Sequence, residues 1–216
     1  MNVAGAHADP LAALCILEDW RGSALLVDSP GPFLALDTTM RRALVCEESL
    51  TRHLESLLGH PLRVRLEGQA FRPAGFEAPN LWGAAYRLPT GDPILVRDAW
   101  LGVGQRDLIF AHSEMVLTGI APEARDAVER GEEPLGSLFQ ELEGAVRRES
   151  LELTRVAAPM LAGHIGAPSD QAFWCRRSLF LTGVTLRARI LEVFLGTWAH
   201  ASPGKPTPRT TGINQG

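Results

Sequence analysis

Two alternating runs, 173–181 and 184–195, flank Thr182-Gly183 near the C-terminal end of this chain. Alternation on both sides of a Thr-Gly break predicts a β-hairpin. It constrains the fold more than any other feature, because successive strand side chains point to opposite faces. In the second run Leu186, Ala188, Ile190, Glu192 and Phe194 share one face, while Thr185, Arg187 and Arg189 take the other. A carboxylate therefore stands in an apolar row. Burying an unpaired carboxylate costs several kcal/mol, so Glu192 must be paired, protonated or turned toward a cavity. Parity alone leaves two readings open: a structural ion pair with an arginine, or a carboxyl group that works on a ligand.

Other charges stand in similar rows. Strands are predicted over 94–103 and 108–117, joined by Gly104-Gln105-Arg106-Asp107, a short hairpin connection. Arg97 shares parity with Leu95, Ala99 and Leu101. A guanidinium on an apolar face wants a carboxylate, which it grips through two parallel hydrogen bonds. That carboxylate is either Glu192 or a substrate's. His112 shares parity with Phe110, Glu114 and Val116, as a satisfied core histidine or as half of a polar pair with Glu114 in a pocket. Asp98 points to the face opposite Arg97 and reads as structural. Arg176 and Arg177 fall on opposite faces and read as a solvated surface pair with one arginine structural.

The rest of the chain is mixed. Leu11, Leu14, Cys15 and Leu17 predict a helix within 8–20. Leu50, Leu54, Leu57 and Leu58 predict another over 48–58, stopped by Gly59 and Pro61. Residues 63–67 alternate as a half-buried strand. Helices are predicted again over 122–130 and 136–149, the latter with Leu138, Phe139, Leu142 and Val146 as its stripe. The stretch 152–170 suits a short helix and a loop. Residues 202–216 read as a disordered tail, which leaves one domain over 1–201. Helices grouped beside hairpins imply an α+β fold, an antiparallel sheet with helices packed on one face.

A chain of 216 residues can bury one sizeable core. Its net charge of -4, without a basic stripe, argues against nucleic acid. Cys15, Cys46 and Cys175 are odd in number and lack CxxC spacing, so neither a disulfide framework nor structural zinc is expected. They read as three buried thiols in a reducing compartment. No signal peptide is read, and no apolar stretch reaches the roughly 18–20 residues of a membrane helix. The expectation is a cytoplasmic protein, monomer or weak dimer, without a membrane partner.

Three segments carry a family resemblance. They are Glu48-Ser49-Leu50-Thr51-Arg52 at a helix start; Val96-Arg97-Asp98 before a hairpin, followed later by Pro134-Leu135-Gly136; and Phe173-Trp174-Cys175-Arg176-Arg177-Ser178 leading to Leu191-Glu192-Val193-Phe194-Leu195. In this order they resemble segments of bacterial chorismate pyruvate-lyase, over about 48–195. The resemblance implies a chorismate lyase-like sheet with an internal ligand pocket under helical flaps. It implies a lyase, free of cofactor and metal, that eliminates pyruvate from chorismate and leaves 4-hydroxybenzoate. Arg97 becomes the clamp for the ring carboxylate. Glu192 contacts the hydroxyl end and serves in acid catalysis. The Leu135 backbone contacts the ligand and Leu50 walls the pocket. His112 falls where the family carries a second pocket arginine, and Ser137 follows Gly136 where the family has another. Arg97→Ala and Glu192→Ala are expected to end turnover without unfolding the chain. Two other classes stay open: an enzyme of the same fold acting on another small aromatic or polyketide-like acid in a biosynthetic pathway, and a non-catalytic small-ligand-binding module.

Overall fold

The computed structural model describes residues 9–24, 31–73, 81–88, 91–131, 134–142 and 146–196. The tail expected over 202–216 lies outside them. Eight strands, β1 (Cys15–Ile16), β2 (Arg21–Gly22), β3 (Arg63–Arg72), β4 (Ile94–Val103), β5 (Arg106–Val116), β6 (Val146–Ala157), β7 (Ala172–Thr182) and β8 (Thr185–Phe194), form one sheet. Its order is β1-β6-β7-β8-β5-β4-β3, with β2 also on β6. Every pairing is antiparallel. The helices are α1 (Thr38–Leu44), α2 (Leu50–Leu58), α3 (Pro122–Arg130), α4 (Leu135–Leu142) and α5 (Pro159–His164). The α+β class expected from the sequence is the one found. Among the described residues no helix is long and apolar enough to cross a membrane.

The final hairpin forms as its alternation requires, with the turn one residue later than expected, at Gly183-Val184. Gly183 turns the chain at φ 58°, a conformation that a Cβ disfavours. Because β8 lies between β7 and β5, Glu192 stands opposite both Arg176 and Ala111. The apolar row of β8 is thereby placed in the middle of the sheet.

One face of the sheet carries α1 to α4. Met40, Leu44, Leu50 and Leu54 pack on Leu101, Ile109, Leu153 and Phe194. Beside them Val128, Leu138 and Phe139 pack on Leu95, Met115 and Ile190. The opposite face is covered too, by α5, by N-terminal residues such as Leu11, Ile16 and Trp20, and by Leu81 and Trp82. Both faces are therefore apolar, which is why many strand residues on either parity are buried.

Three expectations change. The N-terminal segment is not helical: Cys15–Ile16 and Arg21–Gly22 add short strands to the edge of β6, where pairing outweighs helical spacing. Helix 136–149 ends at Leu142, and Val146 opens the twelve-residue strand β6. That strand was hidden because its register shifts between Glu149 and Glu152, where Ser150 takes φ 51° and breaks the alternation. Helix α1 also lies where none was expected; Asp37 caps it by accepting the Met40 N–H at 2.8 Å. Cys46 and Cys175 are buried thiols as read, whereas Cys15 is exposed.

Candidate functional site

Parity places Arg97 of β4, Ala111 and Ser113 of β5, and Glu192 of β8 on the helix-covered face, and all four line one pocket. Arg148 of β6 joins them, with Thr51 from α2 and Pro134, Leu135 and Gly136 from the start of α4. Two of the residues expected from sequence, Arg97 and Glu192, are thus brought together, 3% and 2% exposed. Leu135 lies beside them. Leu50 does not: it is core, packed with Leu54, and its neighbour Thr51 takes the place at the wall. The cavity between these groups is about 50 Å³, room for a few waters.

Glu192 is held by two guanidiniums. Arg176 Nε donates to Oε2 at 2.5 Å, and Arg148 Nη2 donates to Oε1 at 3.2 Å. Arg176 Nη1 also donates to the carbonyls of Ala43 (2.8 Å) and Cys46 (3.0 Å), which ties the C-terminus of α1 to the sheet. Arg148 Nη1 donates to Ser178 Oγ at 2.7 Å. Neither Arg176 nor Arg177 is solvated; they are 0% and 8% exposed. Burial pushes the Glu192 carboxyl up, but Arg148 and Arg176 outweigh it and hold the group below the ordinary carboxylate range. Glu192 is accordingly ionised, an acceptor, in the ligand-free protein. A proton donor at neutral pH, as the acid role required, is not the state these neighbours favour.

Arg97 Nη2 donates to the Gly131 carbonyl at 2.8 Å, at the C-terminal end of α3. Burial lowers its pKa to about 10, so it remains a cation at neutral pH. Two helix N-termini meet the same cavity. Ser49, the N-cap of α2, makes no side-chain capping bond. A Cβ at Gly136 would lie 2.9 Å from Ser49 Oγ, so glycine there lets the starts of α2 and α4 approach. The first amides of a helix have no partner within it and carry its positive end. Guanidiniums and helix N-termini thus surround the Glu192 carboxylate in this cavity.

His112 points away from it. Paired across from Asp98, it lies on the opposite face, with Nδ1 2.7 Å from Asp98 Oδ1 and Nε2 3.3 Å from Glu114 Oε1. Glu114 also accepts from Trp82 Nε1 at 2.6 Å and Arg189 Nη2 at 2.6 Å. His112 therefore does not border the pocket, and it is not a stand-in for a pocket arginine. The geometry is that of a satisfied buried histidine, bonded to both Asp98 and Glu114. Asp98, expected to be structural, is its second partner.

Burial lowers the His112 pKa, but the bonds to Asp98 and Glu114 outweigh this and raise it to about 9. A histidine raised from 6.5 contributes stability that is complete below pH 6.5 and is lost as pH rises through 9. The thermal midpoint should thus fall between about pH 7 and 9.5, by at most about 3 kcal/mol in stability. His112→Gln should flatten that profile. A wild-type midpoint level across this range would refute the assignment.

Arg148 was the site residue that sequence reasoning missed. Its signal is the alternation of Leu151 and Leu153 in a strand that runs back through the register shift at Ser150, and the helix expected over 136–149 covered it. Among the described residues, no three His, Cys, Asp or Glu side chains converge as a metal set would.

Residues 44–200 match the family model described as chorismate pyruvate-lyase, Rv2949c-like. No curated protein matches the chain. Among solved structures, it is similar to the ligand-binding domain of a protein assigned to the GntR family of transcriptional regulators from Bordetella bronchiseptica. That match has 17% identity and a TM-score of 0.49, and covers 62% of this chain and 85% of that one. It is also similar to the effector domain of PhnF from Mycobacterium smegmatis, at 12% identity and a TM-score of 0.48, covering 69% and 89%. Likenesses at this level do not bear on what the chain binds or does.

Proposed function

We propose, since the chain belongs to the Rv2949c-like chorismate pyruvate-lyase family, that its pocket takes chorismate and eliminates pyruvate from it, leaving 4-hydroxybenzoate. The observation that carries this reading is the convergence of Arg97, Glu192 and the first turn of α4 on one buried cavity. Arg97 grips the ring carboxylate. Glu192 faces the hydroxyl-bearing end of the ring. The amides at Leu135 and Gly136 add the positive end of α4.

The chemistry asks little beyond this. The ring C–H bond at the hydroxyl-bearing carbon and the neighbouring ether C–O bond break, the ring becomes aromatic, and enolpyruvate leaves and gains a proton as pyruvate. Ionised Glu192 suits the proton-accepting side of that exchange, and holding the substrate in one reactive conformation supplies much of the rest. The starts of α2 and α4 border the cavity; in this reading they are the helical flaps over the substrate.

Purified protein mixed with chorismate should release pyruvate and 4-hydroxybenzoate in equal amounts. No release above the spontaneous rate sinks the lyase reading. Tight binding of chorismate without release would leave a binding module on the same fold.

A further inference from the structure

We infer that Arg148 is a specificity-determining residue of this pocket, the clamp for a second carboxylate on the ligand, so that the site selects a dicarboxylate over its one-carboxylate product. The inference rests on the reading above and deepens it. One carboxylate, Glu192, serves two buried guanidiniums, Arg148 and Arg176. That leaves a surplus positive charge in a region nearly sealed from water, where an added anion is stabilised strongly. The two arginines are not equivalent. Arg176 lies behind Glu192 and is committed to the carbonyls at the end of α1. Arg148 is the one at the cavity wall. Its bonds to Glu192, at 3.2 and 3.4 Å, are longer than the 2.5 Å bond from Arg176. Each guanidinium keeps one buried nitrogen without a hydrogen-bond partner among the described residues, Nε of Arg148 and Nη2 of Arg176, and of the two only Arg148 lines the cavity. It can exchange Glu192 for another carboxylate while Arg176 keeps Glu192 ionised.

The position suits the ligand's chemistry. On chorismate the second carboxylate is carried by the ether arm, on the ring carbon beside the one bearing the hydroxyl. Arg148 stands beside Glu192, the group at the hydroxyl end. It also borders an open groove on the outer side, shared with Glu47, Glu48 and Arg147. The arm is thus gripped where it can depart. Once the ether bond breaks, 4-hydroxybenzoate has nothing for Arg148, which returns to Glu192, and product binding is weakened relative to substrate.

Calorimetric titration tests this without relying on turnover. The probes are 3-(carboxymethoxy)-4-hydroxybenzoate, a stable dicarboxylate, and 3-methoxy-4-hydroxybenzoate, the same ring with one carboxylate. The wild type should bind the first at least about tenfold more tightly, the range of a charge-assisted pair. Arg148→Gln should erase the preference, bringing its affinities for the two probes to within about threefold of each other. Equal affinities in the wild type, or a preference that survives in the variant, overturn the inference. Should the variant fail to fold, the wild-type pair of titrations decides alone. A preference without pyruvate release from chorismate would sink the lyase and keep the clamp. Release without a preference would do the reverse.

Discussion

Replacing Arg97 by alanine should lower kcat/KM for chorismate by roughly a hundredfold to a thousandfold, about 3–4 kcal/mol, the cost of truncating one side of a buried charge pair. In the proposed complex its partner is the ring carboxylate, which would be left without its cation among largely buried groups. The loss should appear mainly in KM, with kcat little changed, because this carboxylate is bound alike before and during the reaction. The chain should stay folded: the change removes, among other contacts, a hydrogen bond to the Gly131 carbonyl, worth about 1–2 kcal/mol. Steady-state kinetics beside a melting curve read both effects. Activity near wild type in a folded Arg97→Ala protein would remove Arg97 from the site.

Glu192→Ala should behave differently, and here the structure revises what parity suggested. The sequence reading expected this variant to lose turnover and remain folded. Glu192 compensates both Arg148 and Arg176 in the middle of the sheet. Its removal strands two buried guanidiniums, and breaking a buried pair from one side costs about 3–5 kcal/mol. For a chain of this size that is a fall of roughly 10 °C in melting temperature. Glu192→Gln keeps the shape and some hydrogen bonding, and should recover about half of the stability while staying inactive. A Glu192→Ala protein as stable as the wild type would show the triad to be dispensable for folding. An active Glu192→Gln protein would refute the proton-accepting role.

Much of this was legible in the residues. Alternation over 184–195 and over 94–103 assigns Arg97 and Glu192 to apolar rows before any contact is known, since the side-chain period of a strand is two. The stripe of α2 and the Gly-Pro stop after it are equally local signals. Fold class and the burial of the two site residues followed from these. Where local rules failed, a neighbour had overridden them. Leu11, Leu14, Cys15 and Leu17 keep helical spacing, yet Cys15–Ile16 and Arg21–Gly22 pair with the edge of β6. Val146 fits a helical stripe yet opens a strand, and with it Arg148 was assigned to the wrong element. Family position put His112 beside the substrate; parity left its face open, and the register of β5 on β4 set it with Asp98 on the other one.

What the sequence by itself determined is the alternation: an antiparallel α+β sheet with a carboxylate and a guanidinium on the face that must be buried. What only the tertiary structure decided is their company. Strand order sets β8 between β7 and β5, the register puts Arg176 across from Glu192, and a bulge in β6 turns Arg148 into the same cavity. Those pairings depend on residues tens of positions apart, and their fields, not the carboxyl's own chemistry, settle that Glu192 is ionised. Parity can say that a charge is buried; the protonation state is set by charges that come together only when the sheet has formed.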